Sequence, residues 1–253
     1  MSDGLVEVLD GAEPGSWPGG PHGALVIHGF TGTPQSMRPL AEAFAAAGFT
    51  TELPLLPGHG TTVEDMVTTS WDDWLAAAEG VYTDLAARTE DVVVVGLSMG
   101  GTIATWLAAT HPEIAALVAI NAAVAPQPEL AELLQPLLDA GEQTFDAIGN
   151  DIAKEGVVEL AYDKTPLAPL QSLSEAIDAL QPLLGRITQP TLILNSPQDH
   201  VVVPAASDLL AASVSGPVER ITLERSYHVA TLDHDAELIS AEAGAFARRV
   251  VGA

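Results

Sequence analysis

The chain has 253 residues, 47% of them hydrophobic, enough for one large core or a core with a small insertion. Its 34 acidic residues against 9 basic ones leave a net charge of −25, which disfavours nucleic-acid binding and adhesion to an anionic membrane. The absence of cysteine excludes disulfides, thiol nucleophiles and cysteine-based zinc sites.

Met1 to Asp10 carry acids where a secretory leader has bases and a long apolar run. No apolar stretch approaches the ~20 residues of a membrane helix, so a cytoplasmic setting is expected. The lead-in to Gly20 holds one short strand candidate, Leu5 to Leu9, before Pro14, Pro18 and Pro21 make it irregular. Ala24 to Ile27 then reads as a buried strand running into His28-Gly29-Phe30-Thr31-Gly32. A helix is expected over Met37 to Ala47, stopped by Gly48, and a strand over Phe49 to Leu53. The loop that follows ends in Gly58-His59-Gly60. Ser70 caps a helix with Asp73 three residues on, continuing to about Arg88.

Asp91 to Thr110 is the stretch around which the rest is organised. Val92 to Val95 is a β-branched run of the kind found in buried parallel strands. Thr102 to Thr110 is helix-like. Between them stands Gly96-Leu97-Ser98-Met99-Gly100, a G-x-S-x-G in strand–turn–helix context, which defines a nucleophile elbow. Such a turn leaves no room for side chains at its glycines and lifts the serine Oγ to a helix N-terminus.

Ile114 to Ile120 is the next strand, ending at Asn121. The alternation of strand and helix means parallel βαβ units. It breaks from about Ala125 to Arg186, a segment with helix-like pieces at Glu129 to Asp139 and Ser172 to Leu184 and no convincing strand. That segment reads as a helical insertion over the sheet within one domain. The alternation resumes with a strand at Thr191 to Leu194, a helix at Ala205 to Ser213, a strand at Val218 to Leu223 and a closing helix at Asp235 to Val250.

A serine nucleophile needs a base, a group to orient the base, and donors for the oxyanion. In this fold the partners follow the serine as acid, then histidine. Among seven histidines, His228 directly follows a strand and precedes the last helix, so it is the candidate base. Asp199, just past another strand end, is the candidate orienter. His28 and His59 sit in glycine loops that line the site but precede Ser98, and His200 neighbours the acid. The backbone N–H groups of Phe30 and Met99 are the expected oxyanion donors. No metal-ligand spacing and no phosphate loop is present, so no cofactor and no metal are expected.

These motifs, with Asp199-His200-Val201-Val202 and Tyr227 to Asp233, resemble the bacterial monoacylglycerol lipases and related carboxylesterases of the α/β-hydrolase superfamily. The similarity runs from about Gly23 to the C-terminus and includes Glu159 to Pro166. It departs in the lead-in, in overall acidity and in Ala125 to Thr144. The resemblance implies an α/β fold with a mostly parallel central sheet, and a small, mainly helical cap at about 125–186 over an acyl-binding tunnel. It also implies Ser98, Asp199 and His228 as a triad. The expected partner is a small lipid ester, split into glycerol and fatty acid through an acyl-enzyme, with at most transient lipid-surface contact through the cap. The alternatives are a broad carboxylesterase for short esters and a non-lipolytic signalling or binding protein on the same fold. Asn121 and Glu159 are expected near the glycerol hydroxyls, and Ile148 is expected to limit the pocket. The leucines of Glu129 to Leu138, with Val157 and Val158, are expected to supply apolar surface there.

Overall fold

The computed structural model describes residues 7–147 and 149–253. The strands are β1 (Gly15–Trp17), β2 (His22–Ile27), β3 (Thr50–Leu53), β4 (Asp91–Leu97), β5 (Ala116–Ile120), β6 (Thr144–Asp146), β7 (Lys164–Pro166), β8 (Thr191–Asn195) and β9 (Val218–Thr222). The helices are α1 (Arg38–Ala46), α2 (Val63–Met66), α3 (Trp71–Ala86), α4 (Met99–Thr110), α5 (Pro128–Asp139), α6 (Leu167–Leu180), α7 (Ala205–Ser213) and α8 (Ala236–Val251). Seven strands form one sheet in the order β1-β3-β2-β4-β5-β8-β9, and all its pairs are parallel except β1 with β3.

The central strands are apolar on both faces because helices cover both faces. In β4, Val92 and Val94 join the core on one side, while Val93 and Val95 join the core on the other. This is the period-2 alternation of a strand, here with no solvent side. On the first face pack α3, α4, α6 and α7, through residues such as Trp74, Ile103, Ile177 and Leu210. On the second, Leu40 and Phe44 of α1 meet Ile239 and Phe246 of α8. Helix α3 starts where the sequence says: the Asp73 carboxylate accepts the main-chain N–H of Ser70 at 2.9 Å, closing a capping box.

The departures have local causes. The strand expected at Leu5 to Leu9 is not formed over Glu7 to Leu9, and Leu5 and Val6 lie outside the described residues. The edge strand is instead Gly15–Trp17, held between Pro14 and Pro18, since proline is tolerated at the ends of an edge strand. The segment expected to lack strands contains the antiparallel pair β6–β7, a separate two-stranded ribbon. Its far end is built into the core of the body. Helix α6 starts five residues earlier than the sequence suggests, and Leu173, Ala176, Ile177 and Leu180 are buried in the core beside α3 and α4. What lies outside the body is therefore α5, the ribbon and the stretch between its strands. Helix α5 packs on α6; its Leu134 is fully buried, while Leu133 is exposed.

Candidate active site

Ser98 sits between the end of β4 and the start of α4 with φ 56° and ψ −121°, a conformation an L-residue adopts only when its surroundings impose it. The flanking glycines show what imposes it. A Cβ on Gly96 would lie 2.0 Å from the Gly100 carbonyl oxygen, and one on Gly100 would lie 2.2 Å from that of Ile27. Strand, turn and helix thus touch through bare backbone. The Ser98 N–H donates to Ile120 O at 3.0 Å, fixing the turn to the neighbouring strand.

The His28–Gly32 loop runs alongside. A Cβ on Gly29 would come within 3.4 Å of the Ser98 Cβ and 3.9 Å of its Oγ. Thr31 takes φ 60°, and its hydroxyl donates to the Phe30 carbonyl at 2.6 Å. Among the described residues, the Phe30 N–H has no acceptor. Met99 is the first residue of α4, so its N–H has no acceptor within the helix. Behind the loop, Phe30 packs edge-on against Trp74 at 5.7 Å and against His59 at 6.5 Å between ring centroids.

His28 and His59 are structural props of this loop. The His28 ring contacts Gly29 O through Nδ1 at 2.9 Å, and its Nε2 accepts the Leu56 N–H at 3.2 Å, so Nδ1 carries the proton. Complete burial lowers the His28 pKa to about 4, keeping it neutral. Burial also lowers that of His59, with the neighbouring His28 adding to the effect.

Asp199 and His228 meet as expected. His228 Nδ1 lies 2.8 Å from Asp199 Oδ2, with side chains only 8% and 2% exposed. The other carboxylate oxygen of Asp199 accepts the N–H groups of Val201 and Val202, both at 2.8 Å. Held so, the carboxylate fixes the proton on Nδ1 and leaves Nε2 as the basic nitrogen. Ser98, Asp199 and His228 follow β4, β8 and β9 at one end of the sheet, the carboxyl end where ligands gather in open α/β sheets.

Asn121 stands at the end of β5, beside the Ser98 turn. It is buried with φ 41°, and its Nδ2 donates to His228 O at 2.8 Å and Ser196 Oγ at 3.0 Å. Its Oδ1 accepts the Ser196 N–H at 2.8 Å. The amide ties the Asp199 loop to the His228 loop. Glu159 lies beside the His28–Gly32 loop: its Oε1 would be 2.7 Å from a Cβ on Gly32. Burial pushes the Glu159 carboxyl up, opposed by the His228 imidazole and the Ser36 hydroxyl. Ile148 lies outside the described residues. Val158 is exposed, so it adds no lining.

Two carboxylates without a functional signal in the sequence join the stretch before β7 to the His228 loop. Asp151 accepts the His228 N–H at 3.0 Å and contacts His200 Nδ1 at 2.8 Å. Asp233 accepts the N–H groups of Ala153 and Lys154 on one side of the contact and of Tyr227 on the other, at 2.7–2.9 Å. Asp233 closes the Tyr227 to Asp233 motif; Asp151 carries no sequence signal beyond being acidic. Hollows of about 460 Å³ beside Glu7 to Asp10 and about 280 Å³ between Trp71 and Trp106 have none of the triad in their linings, so neither is the expected acyl tunnel.

A serine on a strained elbow, backed by an aspartate–histidine pair at the carboxyl edge of a parallel sheet, defines the hydrolase class of this architecture. Residues 24–241 match the alpha/beta hydrolase family, and the chain belongs to it. It is 46% identical to a thermostable monoacylglycerol lipase of Bacillus sp. (strain H-257), over 92% of both chains. It is 27% identical to a carboxylesterase of Bacillus subtilis (strain 168), over 90% of this chain and 92% of the relative. A solved structure from work on the metagenome-derived lipolytic enzymes LipS and LipT superposes with a TM-score of 0.92 at 43% identity, covering 96% of this chain and all of the other.

Proposed function

We propose that the protein is a serine esterase that cleaves monoacylglycerols to glycerol and fatty acid, with Ser98, His228 and Asp199 as its triad. The observation that carries the reading is the 2.8 Å Asp199–His228 pair placed at the same sheet edge as Ser98. The 46% identity to a monoacylglycerol lipase supports the substrate. His228 Nε2 takes the Ser98 proton as Oγ attacks the ester carbonyl. The oxyanion forms against the N–H groups of Phe30 and Met99. His228 returns the proton to the departing glycerol oxygen, and water, activated in the same way, releases the fatty acid. Glu159 is the acceptor for the glycerol hydroxyls, directly or through water.

One domain carries this chemistry, with the part of the insertion before α6 as its cap. A cytoplasmic setting belongs to the same proposal and is checked by cell fractionation. The test is kcat/KM for a monoacylglycerol, the methyl ester of the same acid, and a short p-nitrophenyl ester. A preference for monoacylglycerol that falls in Glu159→Ala supports the reading. Equal rates on glyceryl and methyl esters identify a general carboxylesterase instead, and no turnover of any ester identifies a non-lipolytic protein.

A further inference from the structure

Residues 157–160 belong to no helix or strand. Backbone groups in such a run need partners, and here two side-chain amides supply them. Asn150 donates from Nδ2 to Val157 O at 3.0 Å and accepts the Glu159 N–H at 2.9 Å. Gln35 donates from Nε2 to Val158 O at 3.1 Å and accepts the Leu160 N–H at 3.0 Å. Each amide takes the carbonyl of one residue and the N–H of the residue two further on, as a neighbouring strand does in a parallel ladder. The two amides occupy opposite edges of the run. Between them the peptide plane preceding Glu159 is held from both sides, which fixes where the Glu159 side chain leaves the backbone.

Gln35 is itself fixed. It lies in the short turn Pro34–Ser36, capped by Thr33, whose hydroxyl accepts the Gln35 N–H at 3.3 Å. That turn begins two residues after Gly32, the end of the loop that carries the Phe30 N–H. The loop that receives the oxyanion and the carboxylate that receives glycerol are thus fastened to one another.

We infer that Gln35 and Asn150 are positioning residues for substrate choice: they clamp residues 157–160 so that Glu159 stands at a fixed place relative to the oxyanion loop. This rests on Glu159 receiving the glycerol hydroxyls. Gln35→Met and Asn150→Leu keep bulk and remove the clamp on one edge each. The measurement is the ratio of kcat/KM for a monoacylglycerol to that for the methyl ester of the same acid, in each variant with and without Glu159→Ala. Each single variant lowers the ratio about 5- to 10-fold, as loss of one or two hydrogen bonds implies, while the methyl ester rate stays within about 2-fold. In the Glu159→Ala background neither variant lowers the ratio further, because the residue they aim is gone. A folded Gln35→Met or Asn150→Leu protein with an unchanged ratio overturns the clamp, as does an equal drop with Glu159 absent. If Glu159→Ala alone leaves the ratio unchanged, the glycerol reading itself fails and takes this inference with it.

Discussion

The Asp151 carboxylate accepts the main-chain N–H of His228 at 3.0 Å, so the residue proposed as base is braced by a side chain from the inserted segment. The same carboxylate holds the His200 N–H at 3.2 Å and its ring Nδ1 at 2.8 Å, one residue beyond Asp199. Charge-assisted bonds of this kind contribute about 1.5–3 kcal/mol each. Asp151→Ala is therefore expected to lower kcat about 10-fold or more on small and large esters alike, with KM little changed. Steady-state kinetics on a p-nitrophenyl ester check it. A loss confined to long substrates would place Asp151 in acyl binding instead.

Ser98→Ala and His228→Ala should each cost about 10⁶ in kcat, because nucleophile and base act as one unit, and Asp199→Asn about 10⁴. A fluorophosphonate should modify Ser98 alone. Peptide mapping that found the adduct on another serine would remove the assignment.

His28 makes the fold sensitive to acid. Its pKa drops from the usual 6.5 to about 4 on folding, so between those values the unfolded chain binds more protons. Stability from this group is complete above about pH 6.5 and is lost as pH falls toward 4, in all about 3 kcal/mol. His59 acts in the same direction, whereas the raised Glu159 carboxyl acts against it. Urea midpoints should fall between pH 7.5 and 5, and His28→Gln should shrink that fall.

Two glycines predict opposite outcomes. A Cβ at Gly100 would meet the carbonyl oxygens of Ile27 and His28 at 2.2 and 2.5 Å, both backbone, so Gly100→Ala should cost about 3 kcal/mol and with it fluorophosphonate labelling. Gly80 lies on the exposed side of α3 with nothing within 4 Å of a Cβ, so Gly80→Ala should stabilise by about 1 kcal/mol. Thermal or urea unfolding of the two variants tests both signs.

The elements legible in the sequence were those whose residues state their own surroundings. Val92 to Val95 can only be a strand covered on both faces, Ser70 and Asp73 spell a cap, and Ser98, Asp199 and His228 each stand at the end of a recognisable strand. An amide at a strand end reads as ligand-facing, and nothing in the sequence announces that Asn121 also ties the Asp199 loop to the His228 loop. Strand β1 was hidden by its flanking prolines, and β6 and β7, three residues each, are too short to show a period. Gln35 was invisible for a different reason. Its partners lie 123 and 125 residues away, and nothing in either stretch alone announces the pairing.

The short first strand has a consequence for the protein at high concentration. An open sheet exposes two rims, each a template on which another chain can add itself. Here one rim is β1, three residues closed at each end by Pro14 and Pro18, which have no N–H to offer. The other is β9, where Glu219 and Arg220 are exposed and Glu219 pairs with Arg249. Neither rim presents a long apolar ladder, so crowding brings negatively charged molecules together without giving them a strand to share. Replacing both prolines with valine would lengthen one rim and turn it into a seed for aggregation, visible as light scattering at concentrations the parent chain tolerates.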